Sequence, residues 1–195
     1  MSTRTPAVAA LALVVATCAG CAVFGHGDEA YRLGEELGEL PGVENSDVSY
    51  LDPRLFESGD IRLHVRMRDD ATPDQVAAVF VAAYTALTDV HLGEEGTLYV
   101  RLRDDRLRLR TFESEAETSD VEEAALVAAT VAEDQYRTTV DVLTKDTDEP
   151  PHVESSVSVR LPKDSSNTRL AWARAAVAEA YGDLPVTVDV RVALR

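Results

Sequence analysis

The amino-acid sequence predicts an α+β protein in which helices cover one face of a mainly antiparallel sheet. Apolar and polar residues alternate along several segments, as they do over residues 60–68, and this period of two is typical of strands with one buried face. Between these segments, apolar residues recur at the spacing of one helical face. The order helix–strand–strand–helix–strand occurs twice, which favours two tandem αββαβ repeats.

Four segments have the apolar spacing of helices. The first is followed by Pro41 and Gly42, a pair that ends helices. The second begins with Thr72 as the predicted N-cap and Pro73 as the first helical residue, and Ser119 is the predicted cap of the third. The predicted helices are residues 29–40, 73–87, a segment that ends near 134, and 166–181.

Seven segments have the alternation of strands. Asp104 and Asp105 separate two of them, and a two-residue connection between alternating runs predicts a tight hairpin. The predicted strands are residues 47–51, 60–68, 97–103, 106–112, 137–145, 153–161 and 186–194.

The predicted organisation has four parts: a signal peptide at 1–20, a tether at 21–28, a first α+β repeat at 29–112 and a second at 113–195. Residues 113–118 form an acidic linker at the start of the second repeat. The repeats show a local likeness between LHVRMRDDATPDQVAAVFVAAY and VSVRLPKDSSNTRLAWARAAVA. The alternative to a duplication is a single ferredoxin-like βαββαβ unit over residues 60–145, with extra elements at each end.

Composition excludes several classes of protein. Hydrophobic residues make up 45% of the chain and charged residues 28%, which is ordinary for a globular domain. The formal net charge of −16 disfavours nucleic-acid binding, because the phosphate backbone would be repelled. The two cysteines, Cys18 and Cys21, both fall at the end of the leader, so the body has neither a disulfide framework nor a cysteine-based metal site.

The leader has the pattern of an export signal. Arg4 precedes an apolar run at residues 7–17, which is shorter than the about 20 residues that a membrane-spanning helix needs. The following CAGC at 18–21 resembles the lipobox of bacterial lipoproteins, in the style of high-GC Gram-positive bacteria. The resemblance implies acylation of Cys21 and attachment to the outer face of the cell membrane. Cys18 stands where the lipobox usually has an aliphatic residue.

Two alternatives to lipidation at Cys21 stay open. The segment VATC at 15–18 has the aliphatic residue of a lipobox, which makes Cys18 the rival acylation site, although Thr17 replaces the usual small residue. An ordinary secretory signal cut near Ala22 would instead leave a plain secreted protein.

The start of the first repeat resembles the small αββαβ modules of bacterial envelope proteins called BON domains. The resemblance rests on the run LPGVENSDVSY after a helix and on the alternating strand that follows it. The glycine that such modules have at the end of this strand is absent, since Arg68, Asp69 and Asp70 stand there.

No local signature of an enzyme, cofactor or metal site occurs in the sequence. It contains no G-x-S-x-G elbow, P-loop, G-x-G-x-x-G or H-E-x-x-H. The four histidines, His26, His64, His91 and His152, are far apart, and we expect them to be scattered surface residues, with His26 in the tether. The acidic loop at 146–154 has two prolines where a calcium loop would need a glycine, which favours a solvated loop. We therefore expect no metal and no cofactor.

The arginines of the first repeat form the candidate binding site. They alternate with apolar residues on strands, so we expect them to share the open face of one sheet, for which the second repeat offers no counterpart. Eight of the 19 basic residues belong to this set: Arg62, Arg66, Arg68, Arg101, Arg103, Arg106, Arg108 and Arg110.

Counter-charges for these arginines have two possible sources. Internal ones are Asp69, Asp104, Asp105 and the acidic run 113–123. An external source would be an anionic ligand, an acidic partner protein or a second copy of this acidic chain. We expect a non-catalytic, lipid-anchored envelope protein that acts as a binding or interaction module. The alternative is an extracytoplasmic enzyme with a non-local active site near His64.

Overall fold

The computed structural model describes residues 26–53, 58–112, 114–132, 137–145 and 152–193. The predicted signal peptide, most of the tether, both cysteines and most of the acidic loop lie outside these residues. In chain order the elements are α1 (Gly27–Gly38), β1 (Val43–Leu51), β2 (Asp60–Met67), α2 (Pro73–Asp89), β3 (Glu95–Leu102), β4 (Asp105–Thr111), α3 (Thr118–Ala132), β5 (Arg137–Lys145), β6 (His152–Leu161), α4 (Asn167–Tyr181) and β7 (Val186–Val192).

The strands form one sheet in sequential order, β1 to β7. The strands of each hairpin, β1–β2, β3–β4 and β5–β6, are antiparallel. The strands on either side of a helix, β2–β3, β4–β5 and β6–β7, are parallel neighbours. The α+β class is confirmed, but the prediction of a mainly antiparallel sheet is wrong. Alternation tells which face a residue is on and says nothing about the direction of the neighbouring strand, whereas a helical crossover returns the chain to the same end of the sheet.

Local signals explain where two helices begin. The Thr72 hydroxyl accepts from the amide of Gln75 at 3.3 Å, and the Gln75 side chain accepts from the Thr72 amide at 3.0 Å, which is a capping box before Pro73. The Ser166 hydroxyl caps α4 in a similar way. Ser119 is already inside α3, so its prediction as a cap is wrong.

The core lies between the inner face of the sheet and a layer of helices. Leu63, Leu98, Leu109 and Val142 are register partners on neighbouring strands, and all four are fully buried. Each such side chain contributes about 1.5–3 kcal/mol by leaving water. The buried face of α3 consists mainly of alanines, which lets that helix lie close to α2 and to the sheet.

The β3–β4 hairpin turns one residue earlier than predicted. Leu102 pairs with Asp105, so Arg103 and Asp104 form the turn, and Arg103 has a positive φ of 54°. This register turns Asp105 toward the core side, where its carboxylate accepts a hydrogen bond from the Thr138 amide of β5. Asp105 therefore links the hairpin to the next strand.

The sheet is continuous across the predicted boundary between the repeats at 112 and 113, because β4 pairs with β5. Residues 60–145 follow the order βαββαβ, yet each helix joins strands that are direct neighbours. The split βαβ arrangement of a ferredoxin-like unit, with a strand between the two, is not formed here. Duplication of the chain stays a prediction.

Candidate functional site

The face of the sheet opposite the helices is open and carries arginines on three adjacent strands. These arginines lie on the open face because they alternate along the strands with leucines and valines that face the core. Arg68 follows the end of β2 and Arg103 is in the hairpin turn. The strand positions of the open face hold the other six predicted arginines: Arg62, Arg66, Arg101, Arg106, Arg108 and Arg110.

Strand register brings three of these arginines side by side. Arg66 of β2 is the partner of Arg101 of β3, and Arg101 is the partner of Arg106 of β4. The parallel pairing of β2 with β3 is what aligns Arg66 with Arg101. Like charges directly opposite one another destabilise a sheet, so this row needs anions close to it.

The row of arginines forms one wall of a groove with a volume of about 510 Å³. On the side of the groove nearest β1, Asp47 contributes a negative charge. The side chains on the open face that line the groove are Asn45, Asp47, His64, Arg66, Tyr99, Arg101 and Arg106.

A second depression of about 230 Å³ continues from Arg106 toward the second half of the chain. Arg137 of β5 and Arg160 of β6 line it together with Thr139 and Ser158. The second repeat, for which we expected no comparable patch, contributes these two arginines to the depression. The pairing of β4 with β5 brings these arginines near Arg106. Sequence patterns within either half of the chain could not predict this proximity, because it depends on which strands of the two halves are neighbours.

Carboxylates among the described residues lie next to Arg62, Arg66 and Arg108 and neutralise them. Arg62 pairs with Asp60, Arg66 pairs with Glu44 at 2.8 Å, and Arg108 pairs with Asp141 at 2.6 Å. These acids differ from the predicted ones. Asp105 faces the core side, although its carboxyl interacts electrostatically with Arg103 and Arg137. Asp69 and Asp104 accept hydrogen bonds through their backbone carbonyls, from Arg103 and Arg137 respectively.

In the part of the chain that the structure describes, Arg101 and Arg106 have no such carboxylate. Within the described ranges, no acidic side chain lies at ion-pair distance from either guanidinium. Arg101 donates from Nε to the carbonyl of Arg103 at 3.2 Å. This hydrogen bond uses one donor of the guanidinium but does not neutralise its charge. These two side chains therefore present adjacent positive charges, with donors available to an anion in the groove.

The hydrogen bond to Asp141 raises the pKa of Arg108, so this guanidinium stays charged. Arg108 is next to Tyr99 in the register, and the ring of Tyr99 stacks on that of His64 with centroids 4.9 Å apart and planes 7° apart. The two rings form a flat, half-exposed aromatic surface beside the arginines. Among the residues that the structure describes, no carboxylate is hydrogen-bonded to His64, which was the predicted centre of a catalytic site.

A second polar cluster lies on the helix side of the sheet. His26 is the residue before α1, whereas His91 and Glu94 are in the turn between α2 and β3. Their potential ligand atoms are all within 4.8 Å of one another. The expectation of scattered surface histidines is wrong for this pair, because His91 is buried and His26 contacts Glu94. His26 is far from the other two residues in sequence, so spacing gave no signal that it joins them.

None of the helices in the described residues has both the length and the apolar character needed to cross a bilayer. The sequence matches no protein-family model and no curated protein, so the groove and the polar cluster are the basis for the functional conclusions that follow.

Proposed function

We propose that this chain is a non-catalytic, lipid-anchored protein of the cell envelope that binds an anionic group in the arginine-lined groove. The leader pattern supports export and attachment through Cys21. The groove supports binding, because it combines cationic donors with an aromatic surface in one concave region.

The observation that carries the proposal is the pair Arg101 and Arg106. Each guanidinium belongs to a strand inside the sheet, and the two positions are direct register partners. Within the described part of the chain neither has a carboxylate partner, although Arg62, Arg66 and Arg108 all have one. An anion bound between them would relieve the repulsion that the fold imposes on adjacent like charges.

The ligand that suits this groove has a carboxylate or phosphate group. Arginine recognises both through its planar array of donors. The anionic group would lie at the end of the groove formed by Arg101 and Arg106, because Asp47 repels it at the β1 side. The stacked rings of His64 and Tyr99 would cover a flat or apolar part of the same ligand.

The test is anion binding by the full chain purified in detergent, with citrate and tripolyphosphate as probes in calorimetric titrations. Arg101→Gln combined with Arg106→Gln removes both charges and keeps the polar side chains. We expect the double variant to bind the better probe at least about tenfold more weakly, because a charge-assisted hydrogen bond is worth about 1.5–3 kcal/mol.

A matched double variant controls for the change in net charge. Arg62→Gln with Arg191→Gln also removes two positive charges, but both residues pair with neighbouring aspartates and neither lines the groove. Asp47→Asn should act in the opposite direction and strengthen binding. Equal losses of affinity in the two double variants, or no saturable binding of either probe, would contradict the proposal.

A further inference from the structure

The cluster of His26, His91 and Glu94 joins three parts of the chain on the face opposite the groove. The turn after α2 places His91 and Glu94 three residues apart, with the Glu94 amide donating to the His91 carbonyl at 3.0 Å. Tyr50 extends from β1 toward the helix side of the sheet, where its hydroxyl is hydrogen-bonded to Glu94. The start of α1 supplies His26.

The contacts within the cluster are short and specific. His91 Nδ1 is 2.6 Å from Glu94 Oε2, and His26 Nδ1 is 3.8 Å from Glu94 Oε1. The Tyr50 hydroxyl donates to Glu94 Oε1 at 2.7 Å and accepts from the backbone amide of His26 at 2.8 Å. Both carboxylate oxygens of Glu94 are therefore oriented by neighbouring groups.

Burial distinguishes this cluster from a surface ion pair. His91 is 1% exposed and Glu94 is 7% exposed, so both polar groups have left bulk water. Burying an ionisable pair is costly unless its members are well coordinated. His26 is different, because 46% of its side chain is exposed, which leaves a path from solvent to the other two side chains.

We propose that His26, His91 and Glu94 form a binding site for one Zn²⁺ ion, with its fourth position open to solvent. Two imidazoles and one carboxylate are a ligand set that Zn²⁺ accepts, and three protein ligands leave one position for water or an exogenous ligand. Tyr50 supports the site by holding the Glu94 carboxylate in place, as outer-shell groups do in zinc proteins.

Small movements would admit the ion. Ligand atoms around a tetrahedral Zn²⁺ are about 3.3 Å apart when each bond is about 2.0–2.1 Å long. The distance between His91 Nδ1 and Glu94 Oε2 would lengthen from 2.6 Å, and the half-exposed His26 would move toward the same oxygen from within 4.8 Å. Zn²⁺ needs the lone pair of His91 Nδ1, so a proton between this nitrogen and Glu94 must leave that position. It moves to Nε2 of the same ring if His91 is neutral, and to water if the ring is an imidazolium.

The ring of Tyr50 also favours this arrangement. Its hydroxyl donates to Oε1 of Glu94, which leaves Oε2 as the carboxylate oxygen that faces His91. The centroids of the His26 and His91 rings are 5.6 Å apart, edge to face, so the two imidazoles are in contact with each other as well as with Glu94.

The test is Zn²⁺ binding by the full chain in detergent, prepared without a histidine tag and titrated in competition with a chromogenic chelator. We expect one ion per chain. His26→Gln should weaken binding at least about tenfold while leaving the fold intact, because this side chain is half exposed. Glu94→Gln should abolish competition with the chelator, and circular dichroism would report whether that variant is folded.

His64→Gln is the matched control, because His64 is also an exposed histidine but lies on the other face of the sheet. Zinc affinity in this variant should equal that of the wild type. Cobalt substitution provides a second readout, since Co²⁺ in the same site should give the absorption bands of a tetrahedral complex. Absence of stoichiometric zinc uptake, or an equal weakening in the His26 and His64 variants, would overturn the proposal.

Discussion

Asp105 shows how one residue can connect two hairpins of the sheet. It pairs with Leu102 at the start of β4 and accepts from the Thr138 amide at the start of β5. Because its side chain is buried, the charged form is poorly solvated. Desolvation raises the pKa of this carboxyl above its ordinary value, although the hydrogen bond from Thr138 and the charge of Arg103 act in the opposite direction.

The raised pKa of Asp105 makes its contribution to stability dependent on pH. The folded state holds the proton more tightly than the unfolded chain, so this contribution is fully present below the unfolded pKa of 3.8 and is lost as pH rises through the folded pKa. Asp105→Asn keeps an oxygen acceptor for Thr138 and cannot ionise. We expect the free energy of unfolding of this variant to improve relative to wild type as pH rises from 3 to 7.

Urea denaturation at several pH values would measure this difference. Asp104→Asn is a suitable control, because Asp104 is exposed in the turn next to Asp105. If the Asp105 variant lost stability relative to wild type with rising pH, the ionised carboxylate would be a net stabilising group and the prediction would be wrong.

The arginines show what residue patterns can and cannot predict. Alternation was sufficient to assign Arg66 and Arg101 to the polar faces of their strands, because successive side chains of a strand point to opposite sides. The absence of a nearby carboxylate at Arg101 and Arg106, within the described residues, depends on which strands are neighbours. The predicted counter-charges were those nearest in sequence, whereas Arg108 is paired by Asp141 from β5.

At the scale of elements, α1 packs on β1 through a glycine. A methyl group added at Gly34 would collide with Cγ2 of Val48, a residue that packs against the core from β1. Four residues later, Gly38 faces Ser46, and a methyl group there would lie 3.7 Å from the Ser46 Cβ, which is an ordinary contact. The same helix thus holds one glycine that the packing requires and one that it does not.

This difference predicts opposite effects of the same substitution. Gly34→Ala should destabilise the protein by about 1–3 kcal/mol, because helix and strand must separate to make room. Gly38→Ala should be neutral or stabilising by up to about 1 kcal/mol, since alanine favours the helical conformation. Chemical denaturation of both variants would measure these effects, and equal destabilisation by the two would rule out the close contact at Gly34.

The ends of the elements were predictable where a local interaction defines them. Thr72 and Pro73 define the start of α2 through hydrogen bonds within four residues. At the β3–β4 turn the sequence favoured Asp104 and Asp105, but the pairing places Arg103 and Asp104 there. Moving the turn by one residue shifts the pairing by two, so that Arg101 lies opposite Arg106 rather than Arg108. Both registers keep the same residues on the inner face, so alternation alone could not choose between them.

At the scale of the whole molecule, the order and directions of the strands constrain the handedness of the helical crossovers. The helices share one core on one face of the sheet, and α2 contacts α3. The β2–β3 pair runs opposite to the β4–β5 pair, while the chain always steps in the same direction across the sheet. The crossovers through α2 and α3 must therefore have opposite hands, so one of them has the uncommon left hand.

Attachment to a membrane is also a property of the whole molecule, and it is predicted from the leader alone. Mass spectrometry of the N-terminal peptide from the membrane fraction of a bacterial host should find a diacylated Cys21 as the first residue. Cys21→Ala should abolish this modification, whereas Cys18→Ala should leave it in place. An unmodified N-terminus at Val23 would mean that the protein is secreted without a lipid.

By itself, the sequence determined the α+β class, the inward and outward residues of most strands and the start of α2. These depend on contacts within a few residues, which a short window of sequence contains. The tertiary structure alone decided that the sheet is mixed, that Arg106 lines one depression with Arg137 and Arg160, and that His26 contacts Glu94. Those features depend on which distant segments become neighbours, and that choice is made by the packing of the entire core.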